Sequence, residues 1–205
     1  MLGSALIALA ASAQSVSVTE GNIYVTDKAG KAKQRTFGGN DAEAVLSPDA
    51  KWVVFVRRTS GKMIETGSGA EKPAELWQIG ANGKDSTLLV RCRAAEKIED
   101  LIAGFEKLQF SSDGRYVFFM TPAWATSSAV HVVDTTNAKE HFVCPGNDLE
   151  VLHSGEYRDC LVVQQHRYFV GGGSFDWYWL VRPDGKEVGP IGENTNDFKD
   201  LYLKR

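Results

Sequence analysis

Leu46-Ser47-Pro48-Asp49-Ala50-Lys51-Trp52-Val53-Val54-Phe55-Val56 and Phe110-Ser111-Ser112-Asp113-Gly114-Arg115-Tyr116-Val117-Phe118-Phe119-Met120 align residue for residue. Each copy passes from an apolar residue through a Ser/Asp turn and a basic residue into an aromatic-rich strand. Asp suits such a turn because its carboxylate bonds backbone amides two residues on, and Gly suits it because it accepts positive φ. A weaker third copy runs from Leu152-His153-Ser154-Gly155 to Cys160-Leu161-Val162-Val163. Recurrence of one turn-and-strand unit marks a repeat architecture.

Four hairpin patterns lie around these copies: Asn22 to Phe37, Glu75 to Val90, Ala129 to Val143 and Trp177 to Ile191. Each is an alternating strand, a turn-forming cluster and a return strand. Their turns recur about every 50 residues, somewhat more than the ~40–45 of a four-stranded propeller blade. Blades are expected at 42–90, 105–143 and 149–191, preceded by the hairpin 22–37. Val16-Ser17-Val18-Thr19 and Phe198-Lys199-Asp200-Leu201-Tyr202-Leu203 would complete a fourth blade with that hairpin. That gives a compact closed ring without free sheet edges; the alternative is an open arc that pairs with another chain. Arg93 to Ala103 carries Ile98, Leu101 and Ile102 at helical spacing before Gly104, so one short inserted helix is expected. The fold class is therefore all-β, a small β-propeller of about four blades.

The repeats resemble the TolB-like, or PD40 (WD40-like), propeller family, whose mark is a Ser-Pro-Asp-Gly-Lys turn before an apolar strand. Ser47, Pro48 and Asp49 match, with Ala50 in the Gly place; Ser111, Asp113 and Gly114 match, with Ser112 in the Pro place. With the hairpins, the resemblance covers most of Asn22 to Ile191. It implies an exported module with envelope protein partners, and it is specific for architecture far more than for function. Full TolB-like propellers have more blades than this chain supplies.

Composition narrows the function classes. The chain has 205 residues, 23 basic and 26 acidic, for a net charge of −3, so no cationic excess is present to neutralise nucleic-acid phosphates. No apolar run reaches the roughly 20 residues needed to cross a bilayer as a helix. Met1 to Ala13 is a short apolar stretch ending Ala11-Ser12-Ala13, the small-x-small pattern of a signal peptide cut before Gln14, although no Lys or Arg precedes it. The expected mature domain is 14–205, periplasmic or secreted; a buried N-terminal strand or helix is the alternative. Cys92, Cys144 and Cys160 fit no zinc spacing, and the four His show none either. No metal or cofactor is expected. An oxidising compartment permits one disulfide, Cys92–Cys144, since both close a blade's last strand.

In a four-stranded meander the first and third turns share one face, and the remaining connections share the other. Here the second set holds the long segments, among them Arg58 to Pro73 and Thr121 to Ser128. Binding concentrates on long loops carried by a rigid scaffold. Trp124, Phe175, Asp176, Arg58 and Lys62 are the expected partner-binding residues, because exposed aromatic and basic side chains supply much interface energy. Asp49 and Asp113 read as turn acids rather than a catalytic pair. Gly172-Gly173-Ser174-Phe175-Asp176 lacks the closing Gly of a hydrolase nucleophile elbow and stands in a β context. The expectation is a non-enzymatic protein-binding module. The alternatives are a carbohydrate or small-ligand binder at the ring mouth, with Trp124 stacking, and the remnant of a hydrolase-associated propeller.

Overall fold

The computed structural model describes residues 13–202. Met1 to Ser12 of the expected leader, and Leu203 at the end of the expected closing strand, lie outside the described residues. The first sheet is a meander of β1 (Ser15–Thr19), β2 (Asn22–Thr26) and β3 (Ala32–Gln34). The second begins with β4 (Asp41–Leu46) and β5 (Trp52–Arg58). A separate small hairpin, β6 (Ile64–Thr66) and β7 (Gly69–Glu71), interrupts it before β8 (Ala74–Gly80) and β9 (Thr87–Arg91) complete it. The third holds β10 (Glu106–Phe110), β11 (Tyr116–Pro122), β12 (Ser128–Asp134) and β13 (Lys139–Gly146). The fourth holds β14 (Asp148–Val151), β15 (Leu161–Tyr168), β16 (Ser174–Val181) and β17 (Glu187–Gly192), and α1 (Asn196–Tyr202) follows. The blades expected from the hairpin spacing are therefore present, each within a few residues of its expected bounds.

Stacking of the sheets follows from their central strands. In β5, Val53 and Phe55 face the first sheet, where they meet Ile23 and Val25, while Val54 and Val56 face the third. In β11, Val117 and Phe119 face the second sheet, and Phe118 and Met120 face the fourth, where Leu161, Val163 and Val181 receive them. A strand buried on both sides reads as a continuous apolar run, which is why Val-Val-Phe-Val and Val-Phe-Phe-Met appear without polar alternation. Each such side chain contributes about 1.5–3 kcal/mol on burial. The first strands lie side by side at the inner edge, β1 by β4, β4 by β10 and β10 by β14, so the sheets fan out from one side as propeller blades.

The repeat extends to its hydrogen bonds. The Ser47 hydroxyl donates to Asp49 Oδ1 at 2.7 Å and accepts from Trp52 N at 3.0 Å. In the next blade Ser111 donates to Asp113 Oδ1 at 2.6 Å and accepts from Tyr116 N at 2.9 Å. Ala50 takes a φ of 57° where Gly114 takes 74°. These turns meet: a Cβ on Gly114 would sit 3.5 Å from Pro48 Cδ, in ordinary contact. Both copies also carry a bulge in the preceding inner strand, with Glu43 and Lys107 in equivalent positions at φ 32° and 52°.

Three expectations are corrected. The ring is not closed: no strand pairing joins the first sheet to the fourth among the described residues, and the molecule is an open arc. The segment expected to close it, Phe198 onward, is helical in α1. Asn194 Oδ1 accepts from Asn196 N at 3.1 Å at the start of that helix, and Phe198 turns onto the fourth sheet. The expected helix at Arg93 to Ala103 is only a single 3-10 turn, Ile98–Asp100. Arg93 and Ile102 exchange backbone hydrogen bonds of 2.7 and 3.0 Å, which lets Leu101, Ile102 and Ala103 be buried together.

Cys92, Cys144 and Cys160 are all free thiols, so the expected Cys92–Cys144 disulfide is absent from the structure. Cys92 packs at the interface of the second and third blades, Cys144 at that of the third and fourth. Burial pushes the Cys144 thiol up to about 12 and Cys92 up to about 11, which suppresses thiolate chemistry.

Candidate functional site

The connections between second and third strands, and from one blade to the next, emerge on one face, and the second-to-third-strand connections build two neighbourhoods there. The first centres on the 59–73 connection. Arg58 is exposed at the end of β5 and lines a cleft of about 560 Å³ with Glu43, Met63, Lys72, Phe105 and Glu106. Burial raises the Glu43 carboxyl above its ordinary range, and the charge of Glu106 raises it further. Lys62 is exposed on the rim beside Met63. From this cleft the β6–β7 hairpin reaches across to the next blade, where Gly67 N donates to Ala123 O at 2.7 Å. The approach is close: a Cβ on Gly67 would fall 2.6 Å from Ala125 N and 2.7 Å from Trp124 C.

Trp124 sits in the tight 124–127 turn, closed by its own N–H to Ser127 O at 2.8 Å. It is half-buried, edge-on to Phe142 at 6.3 Å. Phe142 in turn lies 5.6 Å from the ring of His131, which is fully buried. His131 Nδ1 shares a 2.5 Å hydrogen bond with Glu140 Oε1, and Arg93 donates to Glu140 Oε2 at 2.6 Å. Burial works to raise the Glu140 carboxyl, but the bonds from His131 and Arg93 outweigh it and hold the group below its usual value. Arg58, Lys62 and Trp124 thus belong to one neighbourhood, joined by the hairpin.

The second neighbourhood is the tip of the fourth blade. Phe175 is half-buried, 4.6 Å from Phe169 and 5.1 Å from Trp177. Asp176, on the opposite side of β16, is exposed and accepts from or pairs with His166 Nδ1 at 2.8 Å. The residues that face solvent are Tyr168, Phe169 and Val170, at 68, 54 and 110% relative exposure. Sequence reading passed over these three; the signal was the run Tyr-Phe-Val continuing past the last polar strand residue into Gly171-Gly172-Gly173. Gly172 and Gly173 hold φ of 96° and 82° with open space at the Cβ position or only a distant ring, so the turn needs glycine for its backbone. Ser174 opens β16 opposite Tyr168, in a strand-to-strand turn rather than a strand-to-helix elbow. No contact described in the structure joins Phe175 and Asp176 to Trp124.

The stack of fanned antiparallel meanders, one of three strands and three of four, defines the class of the molecule as a β-propeller module. No family model matches the chain, and no curated protein matches its sequence. Solved structures do match its fold. A protein assigned as TolB from Agrobacterium tumefaciens superposes with a TM-score of 0.57 at 13% identity, over 89% of this chain and 58% of that one. The β-propeller domain of the Trilobed protease from Pyrococcus furiosus, which has an open velcro topology, gives 0.56 at 16% identity, over 82% of this chain and 47% of that one. Dipeptidyl peptidase 4 of Porphyromonas gingivalis gives 0.56 at 11% identity, over 89% and 31%. This chain therefore spans from about a third to three fifths of the length of those structures. The likeness is one of fold. No helix among the described residues is long and apolar enough to cross a membrane.

Proposed function

We propose that the chain is an exported, non-enzymatic propeller module of TolB-like type that docks an envelope protein through its long-loop face. The observation that carries this reading is the solvent-facing Tyr168-Phe169-Val170 tip, seated on Phe175 and held out by a glycine turn. Exposed aromatic anchors on a rigid scaffold are the usual centre of a protein interface. Trp124, Arg58 and Lys62 extend the same face across the neighbouring blades, and Asp176 supplies an acid beside the tip. The small-x-small leader ending at Ala13 supports export to the periplasm. Likeness to a TolB fold among the solved structures supports a protein partner, although the peptidase propellers share that fold.

Photo-crosslinking in cells tests this directly. A benzoylphenylalanine placed at Phe169 or Trp124 is expected to give a discrete adduct with an envelope protein, whereas one placed at the exposed Ser17 in β1 gives none. Equal labelling from position 17, or adducts only with cytoplasmic proteins, would overturn the reading. Adducts with a second copy of the chain would replace the envelope partner with a homodimer, the other use of an open arc. In the same assay Phe169→Asp with Val170→Asp should abolish the adduct formed from position 124. Thermal unfolding should move by no more than a few degrees, since both side chains face solvent.

A further inference from the structure

The face opposite the docking loops carries a cavity of about 320 Å³ at the mouth of the cleft between the third and fourth blades. Its walls are Tyr116, Phe118, Val132 and Pro183, and its rim carries the carboxylates of Asp113, Asp159 and Asp184. Three separate turns bring these acids together. Asp113 belongs to the repeated Ser-x-Asp-Gly turn of the third blade. Asp159 precedes β15 and is tied to that turn by the 2.6 Å bond from Ser112 N to its Oδ1. Asp184 is in the last turn of the fourth blade, which lies so close on β13 that a Cβ on Gly185 would fall 2.4 Å from Val143 O. The rim is thereby fixed by backbone contacts between blades.

Each carboxylate uses Oδ1 to hold its own turn or its neighbour's: Asp113 accepts from Ser111 Oγ and Arg115 N, Asp159 from Ser112 N, and Asp184 from Lys186 N at 3.0 Å. The Ser111 hydroxyl, the largest cause, with the Arg115 amide and guanidinium, keeps the Asp113 carboxyl below its ordinary range, so it is ionised at neutral pH. The second oxygens of Asp113 and Asp184 have no hydrogen-bond partner among the described residues, and Asp159 Oδ2 has only Arg158 at 3.8 Å. No lysine or arginine lines the cavity. Two guanidiniums stand near the rim: Arg158 is paired with Asp159 alone among the described residues, and Arg115 is drawn away to Asp134 at 2.7 Å and over the Tyr116 ring at 5.0 Å; the His141 imidazole lines the wall. A cavity with aromatic walls, three acids at its mouth and no lysine or arginine in its lining complements an aliphatic stem ending in a positive charge.

We propose that this cavity receives a single lysine or arginine side chain of a protein partner, its stem between Tyr116 and Pro183 and its charge among Asp113, Asp159 and Asp184. This uses no residue of the long-loop face, so either assignment stands or falls without the other. The test is an amide-resonance titration of the whole chain with N-acetyl-lysine methylamide, its arginine counterpart, and N-acetyl-norleucine methylamide as the uncharged stem. The two basic compounds are expected to shift Tyr116, Phe118 and His141. Asp184→Asn and Asp113→Asn should each weaken them about two- to fivefold, the range of exposed charge pairs. Asn at 113 keeps an acceptor for the turn; should that variant fail to fold, Asp184→Asn on the other blade decides alone. Norleucine binding as tightly as lysine, unchanged affinity in Asp184→Asn, or shifts confined to another face would overturn the proposal. Calcium chloride or putrescine reproducing the lysine shifts at lower concentration would overturn it too, in favour of a free-cation site.

Discussion

The two ends of the arc are built from opposite materials. On the outward side of the first sheet, cross-strand pairing puts Ser15 beside Thr26, Ser17 beside Tyr24 and Thr19 beside Asn22. Only the other side, with Val16, Ile23 and Val25, is apolar and packs on the second blade. On the outward side of the fourth sheet, Val162 pairs with Leu180, and both join Leu152 in an apolar cluster that Tyr178, Ile191 and Phe198 complete. Phe198 comes from α1, whose Lys199 also bonds Glu150 at 2.6 Å. A polar face needs no cover, because water satisfies its hydroxyls and amides; an apolar face must be covered, and here a helix takes the place that a blade occupies elsewhere in the stack. Mating the two faces to close a ring would bury Ser17, Thr19 and Asn22 against aliphatic carbons, each costing about 1–3 kcal/mol without a partner. The open form is therefore written into the side chains of both ends.

Leu180→Asp probes that contrast most forcefully. Leu180 is 4% exposed, and a charge there should remove at least about 3 kcal/mol from the unfolding free energy in urea. Ser17→Asp, the mirror change on the exposed polar end, should stay within about 0.5 kcal/mol. Equal losses at both positions would mean that the two faces do not differ in the way described. A smaller effect is expected from Phe198→Ala. The ring is half-buried and stacked at 6.0 Å on Tyr157, so about 1–2 kcal/mol should be lost, with increased binding of a hydrophobic dye. Lys199→Ala tests the ion pair of the same helix and should cost less than about 1 kcal/mol, both partners being partly exposed to water. A larger loss from Lys199 than from Phe198 would show that α1 is held by charge rather than by covering the apolar face.

The asymmetry also explains what could be read in the chain beforehand. Blade bounds were legible because each interior strand is buried on both sides and bracketed by a turn cluster, as in Trp52–Arg58 and Tyr116–Pro122. The ends were not, because period decides poorly over six residues. Phe198-Lys199-Asp200-Leu201-Tyr202 is expected as a closing strand, yet its apolar residues stand at i, i+3 and i+4, and the helix puts Phe198 and Tyr202 one turn apart, 5.1 Å between rings, both on Tyr157. Ile98, Leu101 and Ile102 have helical spacing, but burial under the hairpin and the Arg93–Ile102 bridge overrides it. Of the candidate site, the blade pattern made legible which connections share a face, 59–73 and 123–127 among them. The exposed tip was not legible: as a sequence, Tyr168-Phe169-Val170 looks no different from the apolar run of a buried strand, and only the fold exposes it. The bulges at Glu43 and Lys107 carry no Gly or Pro signal and were equally hidden.

The smallest stability effect belongs to the polar end, and it isolates what that polarity is for. Ser17→Val with Thr19→Val replaces two exposed hydroxyls on β1 by side chains that favour extended backbone, so the monomer's unfolding free energy should change by no more than about 0.5 kcal/mol. The surface changes far more than the fold, because the two new side chains adjoin Tyr24 and Asn22 across β2 and turn a wetted sheet end into an apolar one. Sedimentation velocity over a concentration series should then show more self-association than the parent chain at the same concentration, reversed by adding Asn22→Asp. If the double variant sediments as the parent does at every concentration, the serines and threonines are incidental, and the arc stays open only because α1 occupies its other end.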